Sequence, residues 1–144
     1  MKRLIVYFHY DPLVQIDTAC RVAVEAMAHY GEVFFISNST LRPADRAWAA
    51  SVTLTCRERE NKGLDVGAYK EALAVIGRGR LARYDELVLM NFTLAGPVCS
   101  LASMFAAMEV VRLAFLMQLP AFRVAFADLP SRRAIIVILL VEGL

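Results

Sequence analysis

One segment of the chain combines charged, amide and glycine residues in a spacing suited to binding an anion. Gly63 can adopt a positive φ in a tight turn, and Gly67 lets a backbone or a ligand come close. The N–H groups at the start of a following helix attract a phosphate or a carboxylate. The segment therefore predicts a binding site at a turn that leads into a helix. It reads Arg59-Glu60-Asn61-Lys62-Gly63-Leu64-Asp65-Val66-Gly67-Ala68-Tyr69-Lys70.

This turn differs from two common phosphate-binding motifs. No Gly-Lys-[Ser/Thr] sequence closes it, so it is not a Walker loop. Its glycine spacing is not that of the dinucleotide fingerprint, and it follows the third predicted strand instead of the first. Spacing alone identifies no pair of carboxylates and no Ser/His/Asp set, so no catalytic base is assigned.

Three further polar segments directly follow apolar strands. In an open parallel sheet, ligands bind beyond the carboxyl ends of the strands. Any one segment is better explained by a chain that becomes polar as it leaves the core, and the set of four shifts the balance modestly toward a shared binding edge. The three segments are His9-Tyr10-Asp11, Ser37-Asn38-Ser39 and Asn91-Phe92-Thr93.

Strands that alternate with helices must position these segments. Apolar runs predict strands at residues 4–8, 33–36 and 87–90, and alternation of polar and apolar residues predicts a third strand at 51–56. Helical spacing predicts a helix after Asp17, which is a plausible N-cap, a short helix over 44–50 and a helix from Asp65 to Ile76. Strands that are apolar on both faces indicate a parallel sheet. The predicted fold class is α/β, with three layers and a mostly parallel sheet.

Composition narrows the class of protein. A length of 144 residues fits one domain, and a net charge of +2 gives no reason to expect a nucleic-acid partner. Cys20, Cys56 and Cys99 are scattered, which argues against a disulfide framework or a zinc site. The short apolar run at the N-terminus predicts a first strand instead of a signal peptide. These features predict a cytoplasmic protein.

Four segments, in order along the chain, resemble the rhamnan synthesis protein F family. The run from Glu60 to Lys70 is similar to that family's N-x-G-x-D-x-G-[AS]-[YFW]-K stretch. The ordered set covers roughly residues 2 to 110 and is more specific than any single segment. The other three segments are Tyr7-Phe8-His9-Tyr10-Asp11, Ile36-Ser37-Asn38-Ser39 and Tyr84-Asp85-Glu86-Leu87-Val88-Leu89-Met90-Asn91, the last lying before Gly96-Pro97.

The resemblance implies a GT-A/Rossmann-like nucleotide-sugar-binding domain. It further implies a glycosyltransferase of the rhamnosyltransferase type, which acts in cell-wall polysaccharide and lipopolysaccharide biosynthesis. Its partners would be a nucleotide-sugar donor and a glycan acceptor, and it would work in the cytoplasm or at the inner face of the cytoplasmic membrane. Two alternatives stay open: a non-catalytic nucleotide-sugar-binding or scaffold module, and an inactive truncated fragment of such an enzyme.

The resemblance also implies which residues bind the donor. Asn38 stands near the nucleotide-contact position, the turn that contains Asp65 lies against the donor, and Lys70 would neutralise a diphosphate. Two of these residues have a structural alternative: Asp65 could serve merely as a helix cap, and Lys70 could be solvated. The predicted substrate-binding residues are His9, Asp11, Asn38, Asn61, Gly63, Asp65, Lys70, Asn91 and Thr93.

A metal cofactor, Mn²⁺ or Mg²⁺, is implied by similarity to GT-A enzymes, but the matching segment departs from their pattern. Asn91-Phe92-Thr93 stands where a D-x-D would bind the cation. Divalent cations prefer charged oxygen ligands, whereas an amide and a hydroxyl supply no charge. No metal ligand is assigned, and Asp65 is the remaining carboxylate of interest.

The tail differs in character from the rest of the chain. We therefore predict a binding domain over residues 1–109 and an apolar tail over 110–144. Residues 134–141 are all apolar, too few to cross a bilayer, and predict either a last buried strand or a membrane-surface segment. An exposed apolar end would favour a homo-oligomer or a polysaccharide-assembly partner. A frame-shifted gene product and a compact divergent member are the two explanations of this tail.

Overall fold

The computed structural model describes residues 1–93, 100–108 and 133–136. Within these residues, β-strands alternate with helices in chain order. The strands are β1 (Arg3–His9), β2 (Glu32–Ser37), β3 (Thr55–Glu58), β4 (Glu86–Asn91) and β5 (Arg133–Ile136). The helices are α1 (Thr18–Ala28), α2 (Pro43–Val52), α3 (Leu64–Ile76), α4 (Arg78–Leu81) and α5 (Leu101–Met108).

The strands form one parallel sheet in the order β3-β2-β1-β4-β5. The continuous apolar runs in β1, β2 and β4 are buried along their length because helices cover both faces of the sheet. The predicted α/β fold with three layers and a parallel sheet is confirmed.

Side chains alternate between two hydrophobic clusters, one on each face of the sheet. From β1, Val6 and Phe8 join the cluster that contains α3, whereas Ile5 and Tyr7 join the cluster that contains α1, α2 and Phe105 of α5. The crossovers from β1 to β2 and from β2 to β3 use one face, and the return from β3 to β4 uses the other. A single crossover handedness requires this change of face. The strand order reverses between β1 and β4, where open α/β sheets bind ligands.

The third strand begins later than predicted. Residues 51–56 were expected to form it, but α2 continues to Val52 and β3 starts at Thr55. Thr53 ends α2 because its backbone is extended, with a φ of −120° and a ψ of 157°, while its N–H group and its hydroxyl both donate to the carbonyl of Ala49, at 3.0 and 2.6 Å. Ser51 and Val52 fit the alternating pattern of a strand, but this capping keeps them helical. The predicted N-cap of α1 is confirmed, because Asp17 accepts from the N–H of Cys20 at 2.7 Å.

A buried ion pair lies at the amino-terminal edge of the sheet. Arg3 and Glu86 are neighbours in the register of β1 and β4, and the Nε of Arg3 donates to the carboxylate of Glu86. The guanidinium also donates to the carbonyl of Tyr30 at 3.0 Å and lies 4.0 Å from the ring centroid of Phe105. Glu86 is only 1% exposed, and its Oε1 has no hydrogen-bond partner among the described residues.

Part of the predicted tail joins the sheet. Strand β5 pairs with β4 in parallel, with Arg133 in register with Glu86 and Ile135 in register with Val88. The predicted boundary between residues 109 and 110, and residues 137–141 of the apolar run, lie outside the described residues. Among the helices that the structure describes, none has the length and apolar character needed to cross a membrane.

Candidate functional site

The candidate site lies at the carboxyl edge of the sheet, where β1, β2 and β4 end in polar residues. His9 is in register with Ser37, and Phe8 is in register with Asn91. Because the strands are parallel, the segments that follow them emerge at the same edge. The N–H of Asn38 donates to the carbonyl of His9 at 2.9 Å, which fixes the first residue after β2 against the end of β1.

The side chain of Asn38 joins the loop after β2 to the turn before α3. Its amide nitrogen donates to Oδ1 of Asn61 at 2.9 Å and to the carbonyl of Leu64 at 3.4 Å. Its amide oxygen accepts from Nη1 of Arg59 at 2.7 Å. Asn38 is only 5% exposed, so both ends of its amide are engaged within the protein. The structure therefore gives Asn38 a bridging position that connects two predicted site segments.

The turn itself depends on two glycines. Gly63 adopts a φ of 70°, which glycine tolerates without strain. A Cβ on Gly67 would lie 2.5 Å from the carbonyl oxygen of Lys62, a separation that atoms in folded proteins do not adopt. The N–H of Gly67 also donates to the carbonyl of Gly63 at 2.7 Å. The turn therefore closes on the first turn of α3 through backbone contact.

Replacing Gly67 with alanine should open this turn. We expect the free energy of unfolding to fall by about 1–3 kcal/mol, as in other overpacked positions, because the new Cβ displaces the carbonyl of Lys62. Urea denaturation measures the change. Gly79→Ala is the matched control, since a Cβ there meets nothing within 4 Å and stability should be unchanged or slightly raised. Equal effects of the two substitutions would contradict the steric argument.

Asp65 and Asn91 face each other across the gap between α3 and β4. Oδ2 of Asp65 lies 3.5 Å from the amide nitrogen of Asn91, and Oδ1 of Asp65 accepts from the N–H of Val66 at 2.8 Å. The amide oxygen of Asn91 accepts from the N–H of Thr93 at 3.1 Å. Asp65 is half-buried, and the single 3.5 Å contact leaves its Oδ2 able to accept stronger hydrogen bonds.

Tyr69 holds α3 against the end of β4. Its hydroxyl donates to the carbonyl of Met90 at 2.8 Å, and its ring is fully buried. Burial raises the pKa of the Tyr69 phenol well above its usual value, so the hydroxyl remains a donor at all physiological pH values. This bond places the first turn of α3, including Asp65, beside Asn91.

His9 is a buried part of the same edge. Its Nδ1 lies 2.9 Å from Oγ of Ser37, and its ring stacks on Phe35 with a centroid separation of 5.5 Å. Burial holds the pKa of His9 below its ordinary value of 6.5, although a backbone contact with Gln15 and nearby carboxylates, Asp11 among them, act in the opposite direction. His9 is therefore neutral at pH 7 and braces β1 against β2.

The lowered pKa of His9 makes stability depend on pH. Between the folded-state pKa and 6.5, the unfolded chain binds more protons than the folded one, so stability falls as the pH drops below 6.5. The slope should not exceed about 1.4 kcal/mol per pH unit. Urea titrations from pH 7.5 to 5 would show this component lost in His9→Gln and retained in His29→Gln, which changes an exposed histidine. A slope that survives in His9→Gln would contradict the assignment.

Asp11 connects the loops after β1 and β2. Its N–H donates to Oγ of Ser39 at 2.8 Å, and this hydroxyl donates back to the carbonyl of Asp11 at 2.8 Å. The carboxylate of Asp11 accepts from the N–H of Leu13 at 2.6 Å. Asp11 therefore shapes the loop beside His9 and Asn38, and its carboxylate is partly exposed.

Two predicted residues, Lys70 and Thr93, form no hydrogen bond through their own side chains with the other predicted residues. Lys70 is exposed, and helical geometry places it about 140° around α3 from Asp65. The side chain of Lys70 therefore does not share the face of α3 that meets β4. Thr93 is also exposed, and it contributes its N–H group to Asn91. The remaining predicted residues, His9, Asp11, Asn38, Asn61, Gly63, Asp65 and Asn91, lie along one edge of the sheet.

The polar groups at this edge do not match the ligands that Mn²⁺ or Mg²⁺ prefers. The described residues contain no group of three or more His, Cys, Asp or Glu side chains placed to hold a metal. Asn91 directs its amide nitrogen toward Asp65, while its oxygen accepts from Thr93. The sequence between Glu86 and Glu109 contains no carboxylate. The carboxylate next to Asn91 is that of Asp65, and a single carboxylate there is a poor ligand set for a divalent cation.

Sequence reasoning missed two side chains at this edge. Arg59 contacts Asn38 and the turn, but its position at the end of β3 gave no sign of those partners. Phe92 lies among three rings at the crevice between β1 and β4, with centroid separations of 5.7 Å to Phe8, 6.1 Å to His9 and 6.4 Å to Tyr10. The aromatic residues next to one another in His9-Tyr10 and after Asn91 were the available signal for this packing.

The chain matches a known protein family. The family model described as Rhamnan synthesis protein F matches residues 33–117, which is more than half of the chain. The matched residues include Asn38, the turn before α3 and Asn91, whereas His9 and Asp11 precede the match. No curated protein and no solved structure matches the chain.

Proposed function

The chain belongs to the rhamnan synthesis protein F family, a membership that supports a role in rhamnan and polysaccharide synthesis, and we propose that it is a glycosyltransferase. In this proposal, the carboxyl edge of the sheet binds a nucleotide sugar, and the sugar, of the rhamnose type, passes to a glycan acceptor. The observation that supports it best is the joining of three polar segments at one edge, through Asn38 to Asn61 and through Asp65 to Asn91.

The turn before α3 offers the groups that a nucleotide sugar requires. The N–H groups of Leu64 and Asp65 begin a helix and have no acceptor within it, so they can donate to a diphosphate. The Asp65 carboxylate can accept from hydroxyl groups of the ribose or the sugar. Asn61 is exposed, and its amide nitrogen can donate to the same ligand. The negative charge that develops on the departing diphosphate would be stabilised by the N–H groups at the start of α3.

A second candidate function is a binding module without transferase activity. The sequence Asn91-Phe92-Thr93 favours it, because an amide and a hydroxyl replace the two carboxylates of a D-x-D, and the residue between them is a packed ring. Such a module would bind the nucleotide sugar at the same edge and release it unchanged. The two functions therefore share a binding step and differ in turnover.

Calorimetric titration with nucleotides and nucleotide sugars tests the proposal. The panel contains UDP, GDP, dTDP and a sugar conjugate of each, including nucleotide-activated rhamnose, with and without Mn²⁺. Binding together with release of free sugar would support the transferase, and binding without release would support the module. Asp65→Asn should weaken binding by about tenfold, the loss of a hydrogen bond to a charged group. Absence of binding by the whole panel would overturn both functions.

A further inference from the structure

Arg59 makes three side-chain hydrogen bonds at the candidate site, as many as Asn38. Its Nη1 donates to the amide oxygen of Asn38 at 2.7 Å, and its Nη2 donates to the carbonyl of Lys62 at 2.9 Å. Its Nε donates to Oε2 of Glu71 at 2.8 Å. The side chain is only 11% exposed. One guanidinium group therefore joins the end of β3, the loop after β2, the turn and the middle of α3.

Glu71 fixes this guanidinium from the helix side. It accepts from Arg59 and also from Nε of Arg57, the latter at 2.9 Å. Hydrogen bonds from Arg59 and then from Arg57 hold the pKa of the Glu71 carboxyl below its usual value, so it is ionised at neutral pH. Arg59 and Arg57 therefore share one carboxylate, and the planar fork of Arg59 is held in one orientation.

The contacts of Arg59 converge on the groups that shape the turn. The carbonyl of Lys62 is the same atom that approaches Gly67, and Asn38 is the same side chain that bonds to Asn61 and Leu64. Three of the five N–H groups of Arg59, one on each nitrogen, donate to the protein, and a side chain that is only 11% exposed leaves little of the guanidinium open to a diphosphate.

We propose that Arg59 is a positioning residue that holds the turn at residues 61–65 in its ligand-binding geometry before any ligand arrives. It acts through Asn38 and through the carbonyl of Lys62, and it does not itself contact the ligand. The assignment of this turn to a nucleotide sugar rests on the proposed function, whereas the preorganised state of the turn does not. A preformed site avoids the cost of ordering a loop on binding.

Hydrogen exchange of the bonded amides of Lys62, Val66 and Gly67, whose acceptors are the carbonyl of Glu60, Oδ1 of Asp65 and the carbonyl of Gly63, tests the proposal without a ligand. Arg59→Ala should speed exchange there by about tenfold or more, which corresponds to losing a hydrogen bond to a charged group. Arg59→Lys keeps the charge but lacks the fork, so it should restore little of the protection. Arg57→Ala is the matched control, because Arg57 bonds to the same Glu71. Its side chain is 44% exposed and forms no hydrogen bond with Asn38 or Lys62.

The outcomes separate this proposal from the proposed function. Faster exchange in Arg59→Ala but not in Arg57→Ala would support it, while unchanged exchange in folded Arg59→Ala, or equal effects of both, would overturn it. If Arg59→Ala fails to fold, Arg59→Lys gives the same comparison. Titration with dTDP-rhamnose adds a second measurement, in which Arg59→Ala should weaken binding at least tenfold at an unchanged stoichiometry. A wild-type protein that binds no nucleotide sugar would refute the proposed function and leave the exchange result to decide the role of Arg59.

Discussion

Glu86→Leu is expected to lower the free energy of unfolding by about 3–5 kcal/mol, the largest stability effect that the structure predicts. Arg3 would keep its buried guanidinium but lose the carboxylate that balances its charge. Its remaining contacts, the carbonyl of Tyr30 and the ring of Phe105, are not anions. A loss of this size is a large fraction of the stability of a typical domain, and urea denaturation at pH 7 would measure it.

Two variants decide whether the buried charge causes this loss. Arg3→Met combined with Glu86→Leu removes both charges and should recover most of the stability, because an apolar pair tolerates burial better than one unpaired ion. Glu60→Ala breaks the ion pair between Glu60 and Lys62, both of which have largely exposed side chains. It should lower the free energy of unfolding by less than about 1 kcal/mol. If the double variant were as unstable as Glu86→Leu, lost packing and not the unpaired charge would be the cause.

Asn91→Asp combined with Thr93→Asp should create a divalent-cation site, with an affinity for Mn²⁺ on the order of 100-fold above that of the wild type. The new carboxylate at position 91 would face Oδ2 of Asp65 across about 3.5 Å. Two carboxylates at that separation repel each other, and a cation between them removes the repulsion and gains charged oxygen ligands. Calorimetry with Mn²⁺, and the shift of the melting temperature that Mn²⁺ produces, would measure the gain.

The Mn²⁺ experiment has a matched neutral control. Asn91→Ala combined with Thr93→Ala removes the same polar groups without adding charge, so it should bind Mn²⁺ no better than the wild type. Tight Mn²⁺ binding by the wild type, abolished in Asp65→Asn, would show that the present side chains do form a metal site. That result would reverse the conclusion drawn from the orientation of the Asn91 amide.

The sequence predicted the elements whose residues interact locally or are buried on every side. Strands β1, β2 and β4 are continuous apolar runs, and α3 combines a glycine turn with helical spacing, so both follow from local patterns. The predicted start of β3 was wrong, because an alternating pattern at Ser51 and Val52 also fits the last turn of a capped helix. The four residues of α4 were not predicted, since so short a helix has no periodicity to detect.

The residues of the candidate edge were predictable in type but not in their bonding. Parallel strands bring their carboxyl ends together, so the placement of Asn38 and Asn91 at one edge followed from the fold class. Their hydrogen-bond partners did not follow from the fold class, because Asn38 bonds to Arg59 and Asn61, which lie 21 and 23 positions after it in the chain. Such pairs depend on how loops pack after the sheet has formed, and spacing in the sequence does not record that packing.

The position of β1 in the middle of the sheet has a consequence for how the chain is made. Strand β1 is synthesised before the other described strands and gains its β2 neighbour 28 positions later at Leu4 and Glu32, but its β4 neighbour is separated from it by 83 positions at Arg3 and Glu86. Topologies dominated by such distant pairings fold slowly, and their unpaired strand edges invite aggregation. Until β4 has been synthesised, the N–H and C=O groups along one edge of β1 have no partner strand. Nascent chains stalled before residue 86 should therefore be more dependent on chaperones than chains released after it.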